Sequence, residues 1–401
     1  MTTPAALHQE IQVTFRYGVY FTQEVFAPHN PLLAKIMAGS SGDPVRKVLV
    51  IVDGGLYRHH PRLLDEITAY LEHYPDHLQL ACPPMLMPGG EQVKNEAAPV
   101  PRVHRAIHQA GLCRHSYLVA VGGGALIDMA GYAAATAHRG VNLIRIPTTV
   151  MAQADAAIGV KNSINAFGKK NFIGTFATPR AVINDCNFLT TLSPRDWISG
   201  VAEAVKVALI KDASFFAFLE EQASALVDRR LERMEQTIHR CASLHLDHIA
   251  NNGDPFELGS SRPLDFGHWS AHKLEQLSGF ALRHGEAVAI GLALDVTYSC
   301  LAGRLSRREW ARVITVLDRL GLPTYVLELE KPDLLDGLEE FREHLGGRLT
   351  IMLLHAIGQG REVHTMDPDL IRAAARVLRE RALGKFAGEK RVSLGTERRL
   401  S

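Results

Sequence analysis

Two patterns of apolar and polar positions divide the chain. Short apolar runs of β-forming residues recur through the first half: VLVIVD (48–53), LQLAC (78–82), YLVAVGGG (117–124), VNLIRIPTT (141–149) and AVIND (181–185). Runs of this length, unbroken by polar alternation, read as strands buried on both faces. Helical periods separate several of them, as in PRLLDEITAYLEHY (61–74) and PRVHRAIHQAGL (101–112). The alternation predicts a mostly parallel sheet covered by helices, an α/β domain of Rossmann-like nucleotide-binding type. From about residue 190 the 3.6-residue period takes over. TLSPRDWISGVAEAVKVALIKD (191–212) predicts one helix, with Ser193 as N-cap and Pro194 at the first helical position. The expected organisation is an α/β domain over 1–187, an α-helical domain over 188–380, and a flexible basic tail over 381–401.

Composition narrows the function classes. Apolar residues make up 46% and charged residues 22%, the balance of a globular protein, and the net charge of +1 favours neither nucleic acid nor an anionic membrane. No apolar run approaches the ~20 residues that span a bilayer. The N-terminus, MTTPAALHQEIQ, has neither the basic start nor the apolar core of a signal peptide. Five dispersed cysteines without a CxxC pair fit reduced thiols, so a cytoplasmic protein is expected.

Three segments carry candidate chemistry. Gly122-Gly123-Gly124 follows the strand YLVAV and opens a helix containing Asp128. Such a turn lets a pyrophosphate approach the backbone at a helix N-terminus, although a plain tight turn has the same composition. The segment 147–174 crowds Asp155, Lys161, Lys169, Lys170 and several Asn and Gly residues between buried strands. Lysines there could meet phosphate or an oxyanion, while composition alone reads as a solvated surface loop. The third set is dispersed: Glu203, then His268 and His272 at i,i+4, then His284. One carboxylate and two neutral imidazoles with an open position are the usual equipment of a catalytic Zn²⁺.

Taken in order over roughly residues 48–300, these motifs resemble those of the 3-dehydroquinate synthase family, the sugar phosphate cyclases. The matching pieces are Pro88-Gly89-Gly90-Glu91…Lys94, Gly122 to Asp128, His138-Arg139-Gly140, Pro147-Thr148-Thr149, Asp155 to Lys161, and Lys169-Lys170-Asn171. They continue with Thr191-Leu192…Asp196…Glu203…Lys206, Asp265-Phe266-Gly267-His268…His272, and His284-Gly285-Glu286. The resemblance implies Zn²⁺ or Co²⁺ on Glu203, His268 and His284. It implies NAD at Asp53, Glu91, Lys94, Gly123, Gly124, Asp128, Thr148, Thr149, Lys170, Thr191, Leu192 and Asp196. A sugar phosphate substrate would meet Asp155, Lys161, Asn171, Lys206, Asp265 and His272. Arg139 would reach the substrate phosphate across a homodimer interface. In that family a hydroxyl is oxidised, phosphate is eliminated, the ketone is reduced again, and the opened sugar closes by aldol addition.

Departures from the family pattern bear on the substrate. Asp265 stands where 3-dehydroquinate synthases place Asn, and Ser261, with Arg262 beside it, stands where they place Arg. A lysine expected in the helix LHLDHIA is replaced by His245 or Asp247. An aspartate facing a substrate carboxylate is unfavourable by an amount on the order of kcal/mol. A neutral hydroxymethyl-ketone head is therefore expected, as in the valiolone-type cyclases that take sedoheptulose 7-phosphate; segment 340–354 resembles the same relatives. The rival readings are 3-dehydroquinate synthase itself, a metal-dependent NAD alcohol or glycerol dehydrogenase, and a non-catalytic sugar-phosphate or nucleotide-binding protein.

Overall fold

The computed structural model describes residues 6–39, 44–251, 256 and 263–397. Seven parallel strands make the central sheet: β1 (Gly18–Thr22), β2 (Arg46–Asp53), β3 (Leu78–Leu80), β4 (Met85–Met87), β5 (Tyr117–Gly122), β6 (Asn142–Pro147) and β9 (Ala181–Asp185). Their order is β1-β9-β6-β5-β2-β3, with β4 also on β2. β5 is buried along its whole length, because Leu118, Val119, Ala120 and Val121 meet helices on both faces. The chain leaves β2 toward one edge and β5 toward the other. The crevice between their carboxyl ends is thus the point where strand order reverses, where ligands bind in open α/β sheets. Asp53 ends β2 and Gly122 ends β5, so both stand at that crevice.

Between β6 and β9 the chain leaves the sheet. A short π-helical turn (Ala152–Ala156) is followed by an antiparallel hairpin, β7 (Lys161–Ala166) and β8 (Lys169–Phe176). This corrects the solvated-loop reading of 147–174. The hairpin strands are polar and half-exposed, so they carry no apolar alternation, and they turn at Phe167 and Gly168, both at positive φ. Arg145, fully buried on β6, fixes the segment: its guanidinium donates to the carbonyls of Ala157 (2.8 Å) and Lys161 (3.3 Å) and to Asn162 Oδ1 (2.7 Å).

Among the described residues after β9, the regular elements are helices apart from the hairpin of β10 (Ile351–Ala356) and β11 (Gln359–Val363). Ser193 caps as expected, its Oγ accepting from Asp196 N at 3.1 Å. The single helix expected over 191–212 is instead two, Pro194–Ser199 and Val201–Lys211, meeting at Gly200. A Cβ at Gly200 would lie 2.5 Å from Met151 N, so glycine is what lets this junction press against the segment entering the π-turn. At the far end one helix runs Pro368–Glu397, through residues 381–397 where a flexible tail was expected. No helix among the described residues is long and apolar enough to cross a membrane.

Candidate active site

Two clusters face each other across the carboxyl edge of the sheet. The first gathers at the β2–β5 crevice. Asp53 caps the short helix after β2, accepting from Gly55 N (2.7 Å) and Leu56 N (3.3 Å). A Cβ at Gly122 would lie 2.9 Å from Asp53 Cβ, and one at Gly89 2.3 Å from its Oδ1, so bare backbone closes round this carboxylate. Gly123 precedes the helix Gly124–Thr136 with no side-chain cap, leaving the first backbone N–H groups of that helix for an anion. Thr148 and Thr149 follow β6 directly; Thr148 N donates to Gly122 O at 3.0 Å. Lys94 is 3% exposed and donates to Asp128 Oδ2 (2.7 Å), Ser163 Oγ (3.3 Å) and Asn171 Oδ1. Glu91 accepts from Asn165, whose Oδ1 in turn accepts from Asn171 N. Thr191 Oγ1 lies 3.0 Å from His60 Nε2, with Leu192 half-buried beside it. Asp196 sits farther out, in an ion pair with Arg283 at 3.2 Å.

The second cluster is built by three helices. Val201–Lys211 carries Glu203 and Lys206 one turn apart; His268–Leu277 carries His268 and His272; His284 begins the helix His284–Leu301. Glu203, 1% exposed, brings Oε1 to 3.4 Å from His284 Nε2 and 3.7 Å from His268 Nε2. Ligand nitrogens of His268, His272 and His284 all lie within 4.8 Å of one another. His268 Nδ1 lies 3.2 Å from the carbonyl of Phe266, which turns Nε2 toward Glu203. Burial and the neighbouring charges hold His268 and His272 below the usual imidazole range, so both rings are neutral. Burial also pulls on His284, but the Glu275 carboxylate outweighs it and raises that ring to about 9. A carboxylate and imidazole nitrogens converging at bonding reach of one point are the donor set for a Zn²⁺-type ion, and Glu203, His268 and His284, the last on giving up a proton, would hold it.

Lys206 links this cluster to the π-turn. Its ammonium lies 2.6 Å from Glu203 Oε2 and 3.1 Å from Asp155 Oδ2, and Asp155 Oδ1 lies 2.6 Å from His245 Nδ1. Of the two residues offered in place of the missing lysine, His245 is buried at the site while Asp247 is exposed. Burial works against charge at Asp265, but Lys161 and His268 outweigh it and hold the carboxyl below its usual range. Asp265 also acts on Lys206, so it faces the same space. Ser261 and Arg262 lie outside the described residues.

Two placements bear on the expected roles. Lys170, assigned to the nucleotide side, ion-pairs with Glu275 at 2.8 Å and so reaches the histidine cluster. Asn171, assigned to the substrate side, sits with Lys94 on the nucleotide side. Asn171, at φ 56°, leaves the extended strand conformation at this point. Arg139 joins neither cluster. It follows the C-terminal end of the helix that Gly124 begins and, at φ 61°, lines a 470 Å³ cavity with Arg16, Arg114 and Arg180. Sequence reasoning missed Glu275, although its i+7 spacing from His268 was a usable signal. It also missed Asn165 and Arg145, for which the sequence offers none.

Residues 84–199 match the family model described as 3-dehydroquinate synthase N-terminal, and residues 200–341 the one described as 3-dehydroquinate synthase C-terminal. The chain belongs to the 3-dehydroquinate synthase-like family of sugar phosphate cyclases. Among its relatives, a 3-dehydroquinate synthase of Nitrosococcus oceani is 35% identical over 346 residues, 86% of this chain and 91% of that protein. A 2-epi-5-epi-valiolone synthase of Streptomyces glaucescens is 33% identical over 389 residues, 94% of this chain and 93% of the relative. The solved 2-epi-5-epi-valiolone synthase of Streptomyces hygroscopicus, with NAD⁺ and Zn²⁺ bound, superposes with a TM-score of 0.84 at 29% identity. That match covers 94% of this chain and 100% of the other. The cyclases thus share with this chain both halves of the fold, the parallel sheet and the helical region bearing Glu203, His268 and His284.

Proposed function

We propose that the protein cyclises sedoheptulose 7-phosphate to a C7 cyclitol of the 2-epi-valiolone or 2-epi-5-epi-valiolone kind, eliminating phosphate. The observation that carries this reading is Asp265, a half-buried carboxylate that Lys161 and Lys206 hold below its usual range. A substrate carboxylate would meet that charge, whereas a hydroxymethyl ketone can donate a hydrogen bond to it. Bound NAD and a divalent ion would supply reversible oxidation of a substrate hydroxyl and polarisation of its oxygen. The glycine-lined crevice at Asp53 and the convergence of Glu203, His268 and His284 suit those two groups.

The chain's own residues do the rest. Lys206 and Lys161 stabilise negative charge on oxygen as the carbon beside the transient ketone loses its proton. The C–O bond to phosphate then breaks, and its electron pair leaves with phosphate. His272, neutral and beside the metal-binding pair, is placed to move a proton near the leaving group. The ketone is reduced again, so the cycle ends with no net NADH; the C–O bond of the sugar ring then breaks, and the enol it releases adds to the carbonyl it unmasks, closing the carbocycle by aldol addition. Arg139 lies at the far end of its helix from the nucleotide crevice, so a homodimer in which it serves the partner's site suits this reading. Free cysteines and the absence of strong net charge suit a cytoplasmic enzyme acting on a small molecule.

The second reading, 3-dehydroquinate synthase, is favoured by the 35% identity to the Nitrosococcus enzyme. Incubating metal-loaded protein and NAD with sedoheptulose 7-phosphate, and in parallel with the acidic heptulosonate phosphate, separates the two. Phosphate release and a cyclised product mass are expected from the first; release from the acidic sugar alone would establish the second.

A further inference from the structure

We propose that Glu275 is a positioning residue that fixes the ring of His284 for metal binding and ties it to Lys170 of the β7–β8 hairpin. The inference rests on the metal-dependent cyclase reading and deepens it. Glu275 is 4% exposed, and both of its oxygens are engaged: Oε2 lies 3.2 Å from His284 Nδ1, and Oε1 accepts from Lys170 Nζ at 2.8 Å. With Oε1 accepting from the Lys170 ammonium, the carboxylate presents Oε2 to His284 as an acceptor, so the ring nitrogen facing it, Nδ1, carries the proton. The lone pair of the metal-binding form then sits on Nε2, the nitrogen that faces Glu203 at 3.4 Å.

The placement has a further consequence. Glu275 lies seven residues after His268 on one helix, whereas His284 opens the next helix beyond the turn at 278–283. One helix therefore holds His268 directly and His284 through the Glu275 carboxylate, which sets the separation of the two rings. Lys170 also feels Glu91 and Asp128, so the chain His284–Glu275–Lys170 reaches from the histidine cluster to the nucleotide crevice.

The test compares Glu275→Gln, Lys170→Met, the double variant and Glu203→Gln. The readouts are Zn²⁺ affinity by chelator competition, the visible absorption of bound Co²⁺, and the unfolding midpoint of metal-free protein. Glu275→Gln is expected to bind Zn²⁺ about 10–100-fold more weakly, with an altered Co²⁺ band. Lys170→Met, which leaves the carboxylate on His284, should retain metal affinity close to the parent. Should Glu275→Gln fold poorly because Lys170 is left unpaired, the double variant removes that ammonium and should still show the weakened metal affinity. Parent affinity and an unchanged Co²⁺ band in folded Glu275→Gln or the double variant, with Glu203→Gln losing metal, would overturn the positioning role alone. Parent affinity in Glu203→Gln as well would overturn the metal site beneath it.

Discussion

The rings of His272 and His284 stack with centroids 5.8 Å apart and planes tilted by 23°, yet only His284 turns a nitrogen to Glu203 within 3.4 Å. His268 and His284 thus share a carboxylate, and His272 stands beside them with its ring neutral. On the proposed reading this makes two of the imidazoles ligands and the third a proton carrier. His272→Ala should keep a full complement of metal while turnover falls about 10²–10⁴-fold, the usual loss of a general acid–base group. His284→Ala should lose both. Metal analysis after gel filtration, with phosphate-release rates, checks this; a metal-free His272→Ala protein would make His272 a ligand.

Lys206, 2% exposed, is the cation between the buried carboxylate of Glu203 and the half-buried one of Asp155. Removing one partner of a buried ion pair leaves uncompensated charge and typically costs about 3–5 kcal/mol. Lys206→Met should therefore lower the stability of metal-free protein by about that amount in urea unfolding. Added Zn²⁺ should recover part of the loss by taking up the Glu203 charge. An unchanged midpoint without metal would contradict the arrangement.

Asp295 gives a pH dependence that does not involve the site. It is fully buried on the helix His284–Leu301, with Oδ1 accepting from the Trp269 indole at 3.0 Å and Oδ2 without a hydrogen-bond partner among the described residues. Burial outweighs the hydrogen bonds from Trp269 and Gly267 and pushes its carboxyl up to about 7. An unfolded aspartate releases its proton near pH 3.9, so between about 4 and 7 the folded chain holds a proton that the unfolded chain has lost. Stability from this group is full below that window, falls as pH rises through it, and levels off above 7. Asp295→Asn removes the titration and should raise the melting temperature at pH 8, the gain shrinking toward pH 4. A pH-independent difference in calorimetry would show that Asp295 does not titrate there.

On the proposed reading, Asp265 sets the choice of substrate head. Asp265→Asn removes the negative charge that an acidic sugar would face, while leaving a group that can still hydrogen-bond a hydroxyl. The ratio of kcat/KM for heptulosonate phosphate over sedoheptulose 7-phosphate should rise by about tenfold, which corresponds to roughly 1.4 kcal/mol. A ratio unmoved by the substitution would place discrimination elsewhere.

What could be read from the sequence followed the strength of local patterns. Buried strands such as Val48–Asp53 and Tyr117–Gly122 announce themselves because both faces are apolar, and the glycine turn after the second marks the crevice. Glu203, His268, His272 and His284 were legible as a candidate set from residue type and helical context, while the choice of His268 and His284 as the ligands came from the family resemblance. The β7–β8 hairpin was not, because its residues are polar on both faces and its fixing cation, Arg145, is hidden inside a strand. The break at Gly200 was equally silent: helical periodicity runs through it, and only the close approach of Met151 requires it. Glu275 and Lys170, 105 residues apart, meet only through tertiary packing.

A crystal grown with Zn²⁺ and NAD, and read by anomalous scattering at the zinc edge, tests the metal centre most directly. One peak is predicted, bonded at about 2.0–2.2 Å to Glu203, His268 and His284, with His272 outside bonding distance. A peak held by His272 in place of Glu203, or no ordered peak among these helices, would contradict the account.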